Sequence, residues 1–373
     1  MVALLIKKIF ITLIILTLFP ISVFSAGFPE TSAKSSILLN ADTNEVLYKK
    51  NAHEFMSMAS TTKIMTSLLA VESGKMLEHI TAEKDYNCEG TSISIKKGNT
   101  FTLETLIYAM LLESGNDAAE LTADFLGGSQ ENFAEMMNEK AKKIGMKSTN
   151  FVTSSGLDAD GHGTTAYDMA VLGSYAIKNP VFRKICSSEK VTVDYLNPDT
   201  RKSYTNHNRL LQSYSGIIGI KTGFTKKSGR CLVTACKRNG ITLVAVTLNA
   251  PDDWNDHKKL YDYGFSIEGV TSLNVNMPSK ITVYGSPVKS LSIKFESLNL
   301  STCDKNDITY KTYLRKWLYA PIKSGDIVGY TDVFINNKYV KRINISATEN
   351  AEIYNIYNKP NFSLKYRLKR IFN

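Results

Sequence analysis

The chain has little of what builds metal centres or covalent staples. Its five cysteines (Cys88, Cys186, Cys231, Cys236 and Cys303) form no CxxC pair, and its five histidines form no cluster. Such a pattern argues against a finger-type zinc site. Because the cysteine count is odd, at least one thiol stays outside any intramolecular disulfide. No disulfide framework, no metal and no cofactor is expected. Cys231 and Cys236 fall in an apolar, strand-like stretch at a spacing that points them to opposite faces, as small buried hydrophobes. A membrane-length apolar run is also missing, since the N-terminal run from Ile9 to Phe19 is short for a span. There is no internal repeat and no low-complexity segment. Acidic residues are the minority, 35 Asp and Glu against 45 Lys and Arg, for a net charge of +10. The excess suits an anionic partner and leaves open nucleic acid, an anionic lipid surface or an acidic polymer.

What is present at the N-terminus narrows that choice. Lys7 and Lys8 precede the apolar run, Pro20 breaks it, and Val23 and Ser25 suit cleavage before Ala26. This is the order of a secretory signal peptide, so residues 1–25 are expected to be a leader, with an uncleaved N-terminal membrane anchor as the alternative, and export argues against a nucleic-acid partner. After the leader, "SSILLNA" and "EVLYKKN" read as two strands joined by the turn residues Asp42, Thr43 and Asn44. From Ser60 the apolar period becomes helical, and residues 60–180 are expected to be mostly helix. "SGRCLVTACKRNGITLVAV" then predicts a hairpin turning at Asn239-Gly240, followed by a closing helix in "NDHKKLYDYGFS". Strands on both sides of a helix-rich stretch predict an α+β domain over residues 26–268, whose sheet unites both ends of that sequence. Short β-prone runs such as "KITVYGS", "KSLSIKFES" and "YVKRINISA" predict a small all-β domain over 269–352. Residues 353–373 form a basic tail.

The chemistry sits in three short patterns. Ser60 and Lys63 lie about one helical turn apart, and a serine hydroxyl becomes a useful nucleophile only when a neighbouring base takes its proton. Lysine can be that base if burial or other positive charge disfavours its ammonium form. The spacing alone is cheap: Ser94 with Lys97, Ser187 with Lys190, and Ser286 with Lys289 share it. Order is what discriminates. Ser60-Thr-Thr-Lys63 is followed by Ser114-Gly-Asn116 and then by Lys221-Thr222-Gly223, the one Lys-Thr-Gly in the chain, just before a strong strand. Together they meet the signature set of active-site serine β-lactamases and penicillin-binding proteins.

On these motifs, and on "MNEKAKKIGMKSTNFVTSSGLDADGHGTTAYDMA", "NHNRLL" and "APIKSGDIVGYTDVFINNKYV", the chain resembles the low-molecular-mass penicillin-binding proteins. These are the serine-type D-alanyl-D-alanine carboxypeptidases of the bacterial cell wall. The resemblance covers roughly residues 35–350. It implies a β-lactamase/transpeptidase-like domain, an antiparallel sheet with helices, followed by a small β-rich domain. It implies an acyl-enzyme on Ser60 with Lys63 as base, Ser114 as proton relay and Asn116 holding Lys63 and the substrate amide. Lys221 and Thr222 would receive the terminal carboxylate, and Gly223 would leave room for substrate backbone. The N–H groups of Ser60 and Phe224 would form the oxyanion hole. Met58 departs from the usual proline, and His207 stands where some relatives carry arginine, so its part in carboxylate binding rests on position alone.

The implied substrate is a peptidoglycan stem peptide ending in D-Ala-D-Ala, with β-lactam antibiotics as inhibitors and action outside the cytoplasm, at the membrane face or in the wall. A β-lactamase, a DD-endopeptidase and a catalytically idle wall-binding scaffold are the alternatives. Glu135 and Asn138 match the Glu-x-x-Asn of class A β-lactamases but fall in a helical pattern and are expected to be exposed helix residues. His162, in a Gly-rich loop, is expected to be structural or solvent-facing. In the tail, Leu364, Leu368, Ile371 and Phe372 share a helical face, which suits an amphipathic segment on an anionic membrane surface, while the alternation of Phe362, Leu364, Tyr366 and Leu368 leaves a disordered basic tail as the alternative.

Overall fold

The computed structural model describes residues 28–267, 269–272, 275–295, 299–302 and 308–353; the expected leader, the tail from 354 and Cys303 lie outside them. In chain order, β1 (Ser35–Asn40) and β2 (Val46–Lys50) form a hairpin. A 3₁₀ turn, Ala59–Thr62, runs into α1 (Lys63–Glu72), and the short strands β3 (His79–Thr81) and β4 (Thr100–Thr102) pair with each other. Then come α2 (Leu103–Tyr108), a π-helical segment Ala109–Glu113, α3 (Asn116–Gly127), α4 (Gln130–Ile144), α5 (Ala166–Lys178) and α6 (Pro180–Cys186). The hairpin β5 (Lys190–Tyr195) and β6 (Thr200–Thr205) leads through α7 (Leu210–Ser213) to β7 (Ile217–Thr225), β8 (Gly229–Arg238) and β9 (Ile241–Leu248), and α8 (Asp253–Ile267) closes the unit.

The helix boundaries follow local chemistry. Thr102, Ser129 and Thr165 each accept the N–H of the residue three further on, and Asn179 caps α6 just before Pro180 at its first position. Gly128 and Gly145 end α3 and α4 in the left-handed conformation. Asn239 and Gly240 both have positive φ, 50° and 84°, the primed turn that Asn-Gly predicts.

One antiparallel sheet, in the order β2-β1-β9-β8-β7, joins the first strands of the unit to the last. All six residues of β1 are buried, as for an inner strand covered on both faces. On one face Ile37, Leu39, Cys231, Val233, Val244 and Val246 pack toward the helices; on the other Leu38, Leu232, Cys236, Leu243 and Ala245 pack on Leu260 and Tyr261 of α8. Cys231 and Cys236 thus lie on opposite faces, as the spacing predicts. Each fully buried aliphatic side chain of this kind contributes roughly 1.5–3 kcal/mol. No helix among the described residues is long and apolar enough to cross a membrane.

The remaining strands are β10 (Gly269–Ser272), β11 (Lys280–Tyr284), β12 (Ser290–Phe295), β13 (Asn299–Thr302), β14 (Ile308–Leu314), β15 (Trp317–Tyr319), β16 (Ile327–Ile335) and β17 (Lys338–Ala347). Six of them form a sheet in the order β14-β16-β17-β12-β11-β15. Its core of Ile281, Val283, Leu291, Ile293, Leu318 and Ile345 is its own, separate from the cores of the first sheet. The architecture is therefore α+β with a distinct all-β part.

Glu135 is exposed on α4 as expected, but Asn138 is not. It is half-buried and clamps the backbone of Phe151, accepting from its N–H at 2.8 Å and donating to its carbonyl at 2.8 Å. The helix period gave the face but not the loop that folds back over it.

Candidate active site

Ser60 was expected to open a helix; it lies instead within the 3₁₀ turn, and α1 begins at Lys63. The pair still stacks, because side chains three apart eclipse one another in a 3₁₀ turn. Ala59, just before the serine, has φ of 47°. Thr62, at the N-cap position of α1, makes no side-chain cap bond. Its hydroxyl turns back to donate to the Ala59 carbonyl at 2.9 Å.

Three oxygen atoms surround the Lys63 amine. Nζ is 3.0 Å from Ser60 Oγ, 2.6 Å from Asn116 Oδ1 and 2.6 Å from the carbonyl of Ser155. Lys63 is fully buried, and its amine is held well below the ordinary lysine range. Burial is the larger cause and the charge of Lys221 the second; Asp117 and Glu120 oppose both.

The π-helical segment ends at Ser114, which takes φ of 65°. One extra residue in the turn ladder is a common way to aim a side chain at a site. Asn116 then starts α3, its N–H on the Thr91 carbonyl at 2.8 Å and its Nδ2 on the Glu89 carbonyl at 2.6 Å. Those two bonds leave Oδ1 facing Lys63.

β7 is a terminal strand of the sheet and presents a free edge to the turn. Lys221 on this strand is 1% exposed, donates to the Thr222 carbonyl at 2.9 Å, and is pushed down to about 7 by burial. Gly223 has a steric reason beside the expected one. A Cβ there would stand 3.1 Å from both the Ser60 and Thr61 nitrogens, so the glycine lets the strand lie against the Ala59–Thr62 turn. Phe224 projects outward, 66% exposed.

These groups open on a cleft of about 320 Å³ that includes Ser60, Ser114, His207, Thr222, Gly223 and Phe224. His207 Nε2 is 3.7 Å from Glu113 Oε2, and its pKa is lowered, mainly by burial and then by Lys221. Sequence reasoning missed Arg209 and Arg230, which also line the cleft. Arg230 donates to Asp253 at 2.7 Å, and its guanidinium lies 5.6 Å from the Trp254 ring centroid. The hairpin register pairs Phe224 with Arg230, so the arginine was findable by folding "KTGFT" onto "SGRCL". Ser155 could not have been found so, because it acts through its backbone.

His162 stands behind the cleft, 6% exposed. Its Nδ1 accepts the Val152 N–H at 3.0 Å, and its Nε2 lies 2.9 Å from Thr62 Oγ1. The structural reading of this residue holds, and the solvent-facing one does not.

Comparison with known proteins places this geometry in context. A family model described as D-alanyl-D-alanine carboxypeptidase matches residues 22–252. The chain is 34% identical over 317 residues to the D-alanyl-D-alanine carboxypeptidase DacF of Bacillus subtilis, covering 80% of each. Among solved structures it resembles penicillin-binding protein 5 of Haemophilus influenzae, with a TM-score of 0.63, 24% identity and coverage of 87% of this chain and 98% of that one. It also resembles penicillin-binding protein D2 of Listeria monocytogenes in its ampicillin-bound form, with a TM-score of 0.57, 32% identity and coverage of 64% and 100%.

Proposed function

The chain belongs to the D-alanyl-D-alanine carboxypeptidase family of serine peptidases, and from that premise we propose how its own residues perform the reaction. The enzyme removes the terminal D-alanine from peptidoglycan stem peptides through an acyl-enzyme. One observation carries the assignment of roles: the Lys63 amine lies buried between Ser60 Oγ, Asn116 Oδ1 and the Ser155 carbonyl. A neutral amine has two N–H groups, and Asn116 and Ser155 occupy both. Its lone pair is then left to Ser60, whose proton it takes as Oγ attacks the penultimate D-alanine carbonyl. The resulting ammonium has three donors and the same three acceptors, so the proton is received without rearrangement.

The backbone N–H groups of Ser60 and Phe224 bind the oxyanion, each worth a few kcal/mol in the transition state. Ser114 passes a proton to the departing amine. Thr222, Lys221 and the guanidinium groups of Arg209 and Arg230 hold the terminal carboxylate, with His207 at the rim. Water then releases the acyl group.

β-Lactams acylate the same serine and leave slowly. Covalent labelling by fluorescent penicillin, abolished in Ser60→Ala, together with free D-alanine released from a diacyl D-Ala-D-Ala peptide, is the expected result. Rapid turnover of penicillin would instead mark a β-lactamase. The site of action is the outer face of the membrane or the wall, with residues 353–373 resting on anionic lipid; unchanged membrane recovery after their removal would refute that anchor.

A further inference from the structure

The peptide unit joining Ala59 to Ser60 has two ends. Its N–H is the Ser60 donor that the proposed function places in the oxyanion hole. Its carbonyl, on Ala59, accepts from Thr62 Oγ1 at 2.9 Å. Thr62 Oγ1 in turn lies 2.9 Å from His162 Nε2. The direction of this chain is fixed by the far side of the ring. His162 Nδ1 faces the backbone N–H of Val152 at 3.0 Å and that of Thr153 at 3.4 Å, groups that can only donate, so Nδ1 carries a lone pair. The ring proton is therefore on Nε2 and is donated to Thr62, whose own proton goes to Ala59. Both the histidine and the threonine are buried, so water does not compete for either bond.

The peptide unit needs such support. Ala59 holds a positive φ that an alanine rarely takes. The loop that carries His162 also presses on the turn directly: a Cβ on Gly156 would stand 2.0 Å from the Ala59 carbonyl oxygen. A donor chain ending on that carbonyl fixes the tilt of the peptide plane and polarises it, so that its N–H points and donates where negative charge develops.

We propose that His162, acting through Thr62, is a positioning residue for the oxyanion hole: it orients the Ala59–Ser60 peptide whose N–H binds the reacting carbonyl oxygen. The inference rests on the carboxypeptidase reading. It separates the two functions of the imidazole, support of the 152–153 backbone through Nδ1 and support of the nucleophile turn through Nε2. Two substitutions split them. His162→Asn keeps an acceptor near the Nδ1 position and loses the donor; His162→Gln reaches the Nε2 position with an amide N–H and keeps it.

The test measures kcat and KM on a diacyl D-Ala-D-Ala peptide and the rate of penicillin acylation, each per active site titrated with labelled penicillin. His162→Asn and Thr62→Val should lower kcat and the acylation rate 10- to 100-fold with KM within about threefold of wild type, because the oxyanion bond forms only in the transition state. His162→Gln and Thr62→Ser should retain most of the rate. Normal turnover per titrated site in Thr62→Val, or equal losses in His162→Asn and His162→Gln, would overturn the inference, even where both variants lower the melting temperature. A wild-type protein that penicillin does not acylate would remove the carboxypeptidase reading and this inference with it.

Discussion

Lys63 and Lys221 are both buried amines held below the ordinary lysine range, and a fold that tolerates them gives up stability to do so. Lys221, pushed down to about 7 by burial, is the clearer case. Between that value and the ordinary lysine range, the unfolded chain holds a proton that the folded one has lost. Folding is therefore penalised at neutral pH, and the penalty shrinks as pH rises toward 10. Lys221→Met should leave the protein more stable at pH 7, on the order of 2 kcal/mol, by removing a buried amine while keeping much of its length. The same variant should lose penicillin acylation. Urea unfolding checks the first effect and covalent labelling the second; a less stable Lys221→Met protein would contradict the argument. At this scale the sequence was partly legible. Ser60, Lys63, Ser114, Asn116 and Lys221 were visible as types at spacings; the structure lines one cleft with Ser60 and Ser114, bonds Lys63 to Ser60 and Asn116, and buries Lys221 on the strand beside them. The rank of causes at Lys63 was not visible, because burial is a property of everything packed around a residue. Gly223 was visible as a glycine, but its close approach to Ser60 was not, since that contact is with a residue far away in the chain.

At the scale of elements, the loop between α4 and α5 organises the site as much as the helices do. It supplies the Ser155 carbonyl to Lys63, the Ser154 carbonyl to Thr66 at 2.6 Å, the His162 imidazole to Thr62 and the Asp158 carboxylate to Thr225 at 3.3 Å. Gly156 lets it approach so closely, with φ of 86° and no space for a side chain. Gly156→Ala should displace the nucleophile turn and reduce penicillin acylation at least 100-fold while most of the sheet core stays intact. Near-normal labelling kinetics in that variant would show the loop to be more yielding than these distances imply. Paired strands and capped helices were legible because their signals are local: Asn-Gly at a hairpin, threonine or serine before a helix, alternation along β11. The 3₁₀ turn at Ser60, the π-helical segment before Ser114 and the loop's carbonyl contacts were not. Each is set by packing, and backbone groups carry no residue code.

For the whole molecule, acid should be the weak point. His257 lies fully buried behind the sheet, its Nδ1 2.6 Å from Thr234 Oγ1 and its Nε2 3.0 Å from Thr247 Oγ1, and burial pushes it down to about 3. His162 is pushed down to about 4 for the same reason. Both are neutral in the folded state, and neither affects stability above about pH 6.5. As pH falls below that value, the unfolded chain binds protons that the folded chain refuses, and stability drops by about 1.4 kcal/mol per pH unit for each histidine. Urea midpoints should therefore fall steeply between pH 6 and pH 4, and His257→Gln should shallow the slope by about one proton; an unchanged slope would place the acid lability elsewhere.

The pairing of β1 with β9 has a consequence for biosynthesis. Strand β1 finishes at Asn40, yet its neighbour in the sheet begins at Ile241, so the closing contact waits for most of the domain to be made. Assembly of this kind has a high contact order and is slow to begin. A ribosome that stalls, or a protease that cuts, before Ile241 leaves a chain already holding its serine, its amine and its Lys-Thr-Gly edge, but with no inner strand to hold them in register. Such a fragment should be inert rather than partly active, and a newly made chain should stay harmless until nearly the last helix of its first domain has emerged.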